Sequence, residues 1–344
     1  MLKKRYDLWE AGEYTYPMVF GFQPNIVSYL HEDTEKARPC VIVVPGGGYR
    51  VVSPSEGEIV AKKFYDKGYQ TFVCTYTVNL TGTVPLKDQP VKDLARAVRY
   101  IRKNADLFGV DKEKVAVCGF SAGGHVCGSL CVHYEGLEEK NSEYANLSAA
   151  PDAGILCYPV ISAQICGDSE SFKMLLGETV NPEELEYVSL EKQVTEKTPP
   201  CFIWQTATDE LVPVENSYLM AQALKEKGVP YAHHVFSQGK HGLSLANQDW
   251  AEENYGEPYT LEQVFKLVEQ VRNGTIPCTD EEKKMLLAAF DYNDADEKNF
   301  RPKCEPNREV QIWPELADCW MEEIFSKKRH MLRPSVSASG SSEA

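Results

Sequence analysis

The sequence lacks the long apolar runs that are typical of membrane proteins. A transmembrane helix needs about 20 consecutive apolar residues, and no stretch of this 344-residue chain approaches that length. The N-terminus carries Lys3, Lys4 and Arg5, but the apolar segment of a secretory signal does not follow them. These absences predict a cytoplasmic location and no membrane partner.

Basic charge is scarce as well. The chain has 36 Lys and Arg residues against 51 Asp and Glu residues, which gives a formal net charge of −15. Proteins that bind nucleic acids neutralise phosphates with clustered Lys and Arg side chains, and the sequence has no contiguous basic segment. We therefore expect no nucleic acid partner and interpret the acidity as a contribution to solubility.

The cysteines do not have the spacing of a disulfide framework. There are eleven, and they are scattered along the chain. Five lie inside apolar runs: Cys40, Cys74, Cys118, Cys157 and Cys201. In a chain that is not exported, such residues are predicted to be buried thiols.

Four residues of metal-ligating types, His125, Cys127, Cys131 and His133, fall within nine residues. On a helix, Cys127 and Cys131 would share one face, whereas His125 and His133 would not complete a tetrahedral set with them. We therefore predict thiols packed in the core here and no metal.

Apolar runs that suit buried strands, and a last, partly alternating strand at 231–236, alternate with segments of helical periodicity. Predicted strands are 40–44, 71–76, 115–118, 154–158, 201–206 and 231–236, and predicted helices include 56–67, 91–105 and 214–227. This alternation predicts an α/β fold with a mostly parallel central sheet flanked by helices. The opening segment 15–31 is expected to add antiparallel strands at one edge.

A single domain is predicted over residues 1–330, followed by a disordered tail at 331–344. Residues 162–199 are rich in Glu, Ser and Thr and have weak periodicity, which suits a cap above the sheet. Residues 247–308 are acidic and irregular and are interpreted as an insertion, with helices at 259–272 and 279–290. An apolar stripe from Trp313 to Ile324 predicts a terminal helix packed on the sheet.

The most informative pattern is the pentapeptide GFSAG at residues 119–123. It follows an apolar run and precedes a segment of small residues that can form a helix. Strand, G-x-S-x-G and helix in this order are typical of a nucleophile elbow. Ser121 is therefore the predicted nucleophile.

A serine nucleophile needs a base within hydrogen-bond reach and a group that orients the base. Asp209 follows the predicted strand 201–206, and His241 follows the strand 231–236, in the chain order that an elbow requires. Both would lie at the carboxyl ends of parallel strands. Competing candidates remain at this stage: Glu210 and Asp249 for the acid, and His125, His133, His233 and His234 for the base.

A glycine run, PGGGY at residues 45–49, directly follows the first predicted buried strand. Ester hydrolysis develops an oxyanion that must meet preorganised N–H donors. We predict these donors to be the amides of Gly47, Gly48 and Ala122. The alternative of a phosphate-binding turn is weak, because neither a G-x-G-x-x-G nor a Walker pattern is present here.

With these motifs in view, the chain resembles the α/β-hydrolase superfamily. It is similar to the acetyl esterases and carbohydrate (acetyl xylan) esterases whose oxyanion loop reads PGGGY. The resemblance covers roughly residues 20–246 and resumes at 309–325, and it implies Ser121 as nucleophile, His241 as general base and then acid, and Asp209 as the orienting carboxylate. It also implies hydrolysis of short acyl esters without a cofactor. The insertion 247–308 departs from the family pattern and is a candidate to cover or extend the substrate cleft.

The resulting prediction is a serine esterase that removes acetyl groups from carbohydrates such as xylo-oligosaccharides. Tyr49, Tyr158 and Trp204 are candidate aromatic contacts for the sugar. A general short-chain carboxylesterase, a feruloyl esterase and a catalytically silent hydrolase fold used for binding are the alternatives. The expected partner is a small-molecule or oligosaccharide ester, and the sequence gives no oligomeric state.

Overall fold

The computed structural model describes residues 1–33, 36–166, 170–276, 279–290 and 304–332. Eight strands within these ranges form one sheet: β1 (Leu2–Asp7), β2 (Asn25–Leu30), β3 (Arg38–Val44), β4 (Gln70–Thr75), β5 (Val110–Phe120), β6 (Ala153–Cys157), β7 (Cys201–Thr206) and β8 (Tyr231–Phe236).

Twelve α-helices lie in the described ranges. They are α1 (Glu58–Asp66), α2 (Gln89–Lys103), α3 (Ala105–Phe108), α4 (Ala122–His133), α5 (Ala163–Cys166), α6 (Glu170–Leu176), α7 (Pro182–Val188), α8 (Glu215–Glu226), α9 (Gln248–Ala251), α10 (Glu262–Arg272), α11 (Asp280–Phe290) and α12 (Trp313–Leu332).

The sheet has the strand order β1-β2-β4-β3-β5-β6-β7-β8. Every neighbouring pair from β4 to β8 is parallel, whereas β1 and β2 are antiparallel to their neighbours. This is the α/β-hydrolase fold, and it confirms the predicted fold class. Parallel pairing requires a crossover between strands, which explains why helices alternate with strands along the chain.

Helices cover both faces of the sheet because its central strands are apolar on both sides. Val41 and Val43 of β3 belong to the core cluster that contains residues of α1 and α12. Ile42 and Val44 belong to the opposite cluster, which contains residues of α2, α4 and α8. A strand buried on both faces reads as a continuous apolar run, and the predicted run at 40–44 is confirmed.

The antiparallel edge differs from the prediction in its position. The extended segment expected at 15–31 is a strand only over Asn25–Leu30, and its outer partner is Leu2–Asp7. The side chains of β1 are largely exposed and polar, so no apolar pattern marks this strand. It is held in the sheet by backbone hydrogen bonds to β2, which lies about 20 residues further along the chain, and not by an apolar pattern of its own.

The burial of the cysteines and the character of the helices can be compared with the predictions from composition. All ten cysteines in the described ranges are free thiols, and the five predicted to be buried are buried. None of the helices described here combines the length and the apolar character that crossing a membrane requires.

The segment expected to act as a cap contains three short helices, α5 to α7. It follows the carboxyl end of β6 and packs inward, since the Phe172 ring lies edge-on to the His125 ring with centroids 5.3 Å apart. The N–H of Leu190 donates to the carbonyl of Ile161 at 3.1 Å. Its role as a cap stays a prediction.

The insertion contains the predicted helices, observed as α10 and α11. Its described part is anchored at the antiparallel edge of the sheet. Gln263 bonds the backbone of Val78, which follows β4, and the Tyr259 hydroxyl lies 2.8 Å from that of Tyr29 in β2. Residues 291–303 of the insertion lie outside the described residues. The predicted tail begins at residue 331; its first two residues end α12, and the others lie outside the described residues.

A buried guanidinium joins the N-terminal segment to α2. Arg96 is 1% exposed and donates to both carboxylate oxygens of Glu139, at 2.6 and 2.8 Å, and to Glu13 at 2.9 Å. Its carbon atom Cζ also lies 4.3 Å from the ring centre of Trp9 and 4.5 Å from that of Tyr144. Because a buried charge must keep its partners, these contacts hold the segment that follows β1 against α2.

We predict that Arg96→Leu lowers the free energy of unfolding by about 3 kcal/mol, because it removes two hydrogen bonds from the buried Glu139 carboxylate. Lys92→Leu, at an exposed position of the same helix, should change it by less than about 0.5 kcal/mol. Urea denaturation followed by circular dichroism measures both values. Equal midpoints for the two variants would show that the Arg96 cluster does not support the fold.

Candidate active site

Three polar side chains come together at the carboxyl edge of the parallel strands. Ser121 directly follows β5, Asp209 follows β7, and His241 follows β8. Ligands and reactive groups in open α/β sheets gather at this edge, because the loops after parallel strands meet there.

The serine lies on a strained turn between β5 and α4. Its φ of 53° and ψ of −119° fall outside the regions that a residue with a side chain ordinarily adopts. A Cβ at Gly119 would overlap the carbonyl oxygen of Gly123 and lie 2.6 Å from Cys127 Sγ, and a Cβ at Gly123 would overlap the carbonyl oxygen of Val44. Both glycines of the motif are therefore required by close backbone contacts.

Ser121, His241 and Asp209 form one hydrogen-bonded chain. Ser121 Oγ lies 2.8 Å from His241 Nε2, and His241 Nδ1 lies 2.7 Å from Asp209 Oδ2. Because a carboxylate only accepts hydrogen bonds, Nδ1 carries the proton and Nε2 is left to accept the serine hydroxyl. The arrangement is that of a serine nucleophile with an oriented base.

Asp209 is held rigidly and its side chain is fully buried. Its Oδ1 accepts the N–H groups of Leu211 and Val212 at 3.0 and 2.9 Å, and its Oδ2 also accepts Gln205 Nε2 at 3.1 Å. These donors satisfy the carboxylate in its charged form and fix its direction toward the imidazole.

The structure separates Asp209 and His241 from their competitors. Glu210 and Asp249 are exposed, and neither is bonded to a histidine in the described residues. His133 bonds the carbonyl of Tyr187, and His233 lies 3.0 Å from Ser217 Oγ. His234 packs on Phe202 with ring centres 5.0 Å apart.

His125 is a core histidine. Its Nε2 donates to the carbonyl of Val188 at 2.9 Å, so its Nδ1 accepts the hydroxyl of Tyr49 at 2.7 Å. Desolvation by burial lowers the pKa of His125 to about 4, which keeps the ring neutral. In the part of the chain that the structure describes, no group of three or more His, Cys, Asp or Glu side chains is arranged to hold a metal ion.

The glycine loop packs against Ser121 through Gly46 and contains two further amides that could receive an oxyanion. Gly46 is engaged, since its N–H donates to Glu56 Oε2 at 2.7 Å. Among the residues described, the N–H groups of Gly47 and Gly48 donate to no other group. Ala122 is the first residue of α4, where helix geometry leaves an N–H without an intrahelical acceptor. The assignment of these three amides to an oxyanion hole stays a prediction.

The three aromatic residues expected to contact a sugar are interior side chains. Tyr49, Tyr158 and Trp204 are at most 2% exposed. Tyr49 is bonded to His125, and Trp204 packs between the rings of Tyr158 and Trp313. They present no face to a carbohydrate. Sequence reasoning could not distinguish a core aromatic residue from an exposed one, either within a strand, as for Trp204, or just after one, as for Tyr49 and Tyr158.

Two residues beside the site were missed. Glu56 is 4% exposed and bonds the glycine loop, and Ser244 donates its N–H to the hydroxyl of Tyr158 at 3.0 Å. In the sequence, Glu56 and Glu58 both read as acidic residues at the start of a helix, and no local signal separates them.

Known proteins resemble the chain over most of its length. The model of the BD-FAE family matches residues 28–224. The endo-1,4-beta-xylanase B of Butyrivibrio fibrisolvens is 49% identical over 262 residues, which are 76% of this chain and 41% of that protein. The acetylxylan esterase of Xylanibacter ruminicola is 28% identical over 253 residues, which are 71% of this chain and 49% of that protein. The chain thus spans about half or less of the length of these relatives.

A solved structure has a similar fold and a related sequence. The acetyl ester-xyloside bifunctional hydrolase from Caldicellulosiruptor lactoaceticus is 34% identical, with a TM-score of 0.66. The match covers 80% of this chain and 97% of that one. With a family model that covers more than half of its residues, the chain belongs to the BD-FAE family, a family of carboxylic-ester hydrolases with the α/β-hydrolase fold.

Proposed function

We propose that this chain is a serine esterase that removes acetyl groups from carbohydrates such as xylo-oligosaccharides. The observation that carries the proposal is the hydrogen-bonded chain from Ser121 Oγ through His241 to the buried Asp209, next to unpaired loop amides. The relatives support the substrate class, because a xylanase, an acetylxylan esterase and an acetyl ester-xyloside hydrolase share this fold or sequence.

The first half of the proposed reaction transfers the acyl group to the enzyme. Ser121 Oγ attacks the carbonyl carbon of the ester while His241 Nε2 takes the hydroxyl proton. The carbonyl oxygen becomes an oxyanion that accepts hydrogen bonds from the amides of Gly47, Gly48 and Ala122. The bond to the sugar oxygen then breaks, and His241 gives its proton to that oxygen, which releases the deacetylated sugar.

The second half restores the enzyme. A water molecule attacks the acyl carbon, and His241 takes a proton from that water as the new carbon–oxygen bond forms. The bond to Ser121 Oγ breaks, the serine regains the proton, and acetate leaves. Asp209 remains ionised throughout and keeps the imidazole in the tautomer that can accept a proton at Nε2. The proposed proton transfers and charge stabilisation use side chains and amides of the protein, so they require no cofactor.

We predict that Ser121→Ala lowers kcat/KM for p-nitrophenyl acetate and for acetylated xylo-oligosaccharides by at least about 10⁴-fold, because it removes the nucleophile. Ser129→Ala is the matched control: Ser129 is a buried serine of α4 that lies 3.4 Å from His125 Nδ1. It should keep activity within about two-fold. Release of acetate at the wild-type rate by Ser121→Ala would refute the mechanism.

Asp209→Asn should lower kcat by about 10³- to 10⁴-fold, because an amide facing Nδ1 favours the wrong imidazole tautomer. Glu210→Gln changes the exposed neighbouring acid and should leave kcat unchanged. Steady-state kinetics on p-nitrophenyl acetate measure both variants. A large loss of kcat in Glu210→Gln together with wild-type kcat in Asp209→Asn would show that Glu210, and not Asp209, orients the imidazole.

The substrate class is tested by turnover across a panel. We expect kcat/KM for acetylated xylo-oligosaccharides to exceed that for methyl ferulate and for simple aryl acetates by at least about ten-fold, since interactions with the sugar lower the barrier only for the cognate ester. Preference for the feruloyl ester would identify a feruloyl esterase. Equal values for all esters would identify a general carboxylesterase, and failure of a fluorophosphonate probe to label Ser121 would favour a binding protein.

A further inference from the structure

Glu56 is a buried carboxylate that contacts the glycine loop. It ends a short 3-10 helix at Pro54–Glu56, and it is 4% exposed. Its Oε2 accepts the N–H of Gly46 at 2.7 Å, and its Oε1 accepts the hydroxyl of Tyr158 at 2.6 Å. A Cβ built on Gly46 would lie 2.9 Å from Ser121 Cβ and 3.0 Å from Glu56 Oε2, so Gly46 packs against both the nucleophile and the carboxylate.

Tyr158 extends this contact to the loop that carries His241. It follows β6 with a φ of 36°, a strained value for a residue with a side chain. Its hydroxyl donates to Glu56 and accepts the N–H of Ser244, three residues after His241, at 3.0 Å. Its ring lies edge-on to the imidazole with centres 4.9 Å apart. The Ser244 hydroxyl donates to the carbonyl of Ser55 at 2.6 Å, so hydrogen bonds link Glu56, Tyr158 and Ser244 back to the residue before Glu56.

The surroundings of Glu56 differ from those of an ordinary buried ion pair. Glu58, two residues away, is bonded to Lys3 and Lys62 at 2.9 and 2.6 Å. Among the described residues, no Lys or Arg pairs with Glu56. Burial raises the pKa of Glu56, while hydrogen bonds from Tyr158 and Gly46 and the attraction of His241 act against that rise. A carboxylate without a fixed cation is costly to bury and contributes little to stability.

We propose that Glu56 is a positioning residue for the esterase reaction, holding the oxyanion loop through Gly46 and the histidine loop through Tyr158 and Ser244. The inference rests on the proposed function. One carboxylate sets the distance between the amides that receive the oxyanion and the imidazole that moves the proton, and these must be placed together for either half of the reaction.

Glu56→Gln tests the proposal. A carboxamide keeps an acceptor oxygen at one of the two positions and places an NH2 group at the other. If the oxygen accepts from Gly46, the NH2 group faces the Tyr158 hydroxyl, which can no longer donate to residue 56. We expect kcat for p-nitrophenyl acetate to fall by about 10- to 100-fold while KM stays within about two-fold, because misplacement by a fraction of an ångström acts on the transition state. Enzyme concentration is determined by titration with a chromogenic phosphonate, so that a smaller folded fraction does not lower the apparent kcat.

Glu58→Gln is the matched control. It also removes a charge from a buried carboxylate on the same segment, but Glu58 bonds lysines and contacts neither loop of the site. We expect it to reduce the melting temperature while kcat per titrated site stays within about two-fold. An equal loss of kcat in both variants would assign the effect to general stability and overturn the proposal.

Tyr158→Phe is a second test of the proposal, and its result does not depend on whether Glu56→Gln folds. It removes the hydroxyl that joins Glu56 to Ser244, and we expect a loss of kcat of similar size with KM unchanged. In the double variant, the loss of kcat should be close to that of the single variant with the lower kcat, because both changes break the same set of hydrogen bonds. Losses that multiply would show two independent effects and would overturn the linkage.

Wild-type kinetics separate this inference from the proposed function. If the wild-type chain hydrolyses p-nitrophenyl acetate and Ser121→Ala does not, the esterase mechanism stands, and wild-type kcat in both Glu56→Gln and Tyr158→Phe then refutes the inference alone. If the wild-type chain hydrolyses no ester, the proposed function itself fails.

Discussion

The site depends on one steric constraint, the close approach of backbone at the turn between β5 and α4. Gly119 and Gly123 leave no room for a Cβ, and the backbone of β3 at Val44 lies against the same turn. This packing holds Ser121 at a φ of 53° and begins α4 at the next residue. The strain is tolerated because the strands on both sides are buried and cannot shift. The nucleophile, one candidate oxyanion donor and the start of the glycine loop are therefore held at one rigid turn.

Around that point, the polar groups are satisfied by backbone donors rather than by cations. Asp209 accepts two amides from the turn that follows it, and Glu56 accepts an amide from the glycine loop. Backbone donors have fixed positions, so they orient a carboxylate more firmly than long Lys or Arg side chains do. Two buried acids with similar surroundings thus have different geometric relations to His241, since one bonds its Nδ1 directly and the other contacts its loop through Tyr158.

Away from the site, the same sheet is completed by a segment with little apolar character. The exposed strand β1 joins the edge by backbone pairing, and the Arg96 cluster ties the chain that follows it to α2. The insertion after His241 is anchored at this edge too, through Gln263 and Tyr259. These contacts combine residues that are far apart in sequence, and none of them follows from a local pattern.

The sequence by itself determined the fold class, the candidate nucleophile and a short set of candidates for its acid and its base. Apolar runs buried on both faces read continuously, and the G-x-S-x-G motif and Asp209 each follow such a run. His241 follows the partly exposed edge strand β8, in the chain order that the elbow requires. Tertiary structure alone decided which candidates meet: Glu210 and Asp209 are adjacent in sequence, yet only Asp209 faces the imidazole. It also decided that Tyr49, Tyr158 and Trp204 are buried and that Glu56 supports the site. The physical reason is that periodicity reports the burial of whole elements, whereas the direction of one side chain in a loop is set by contacts with distant strands.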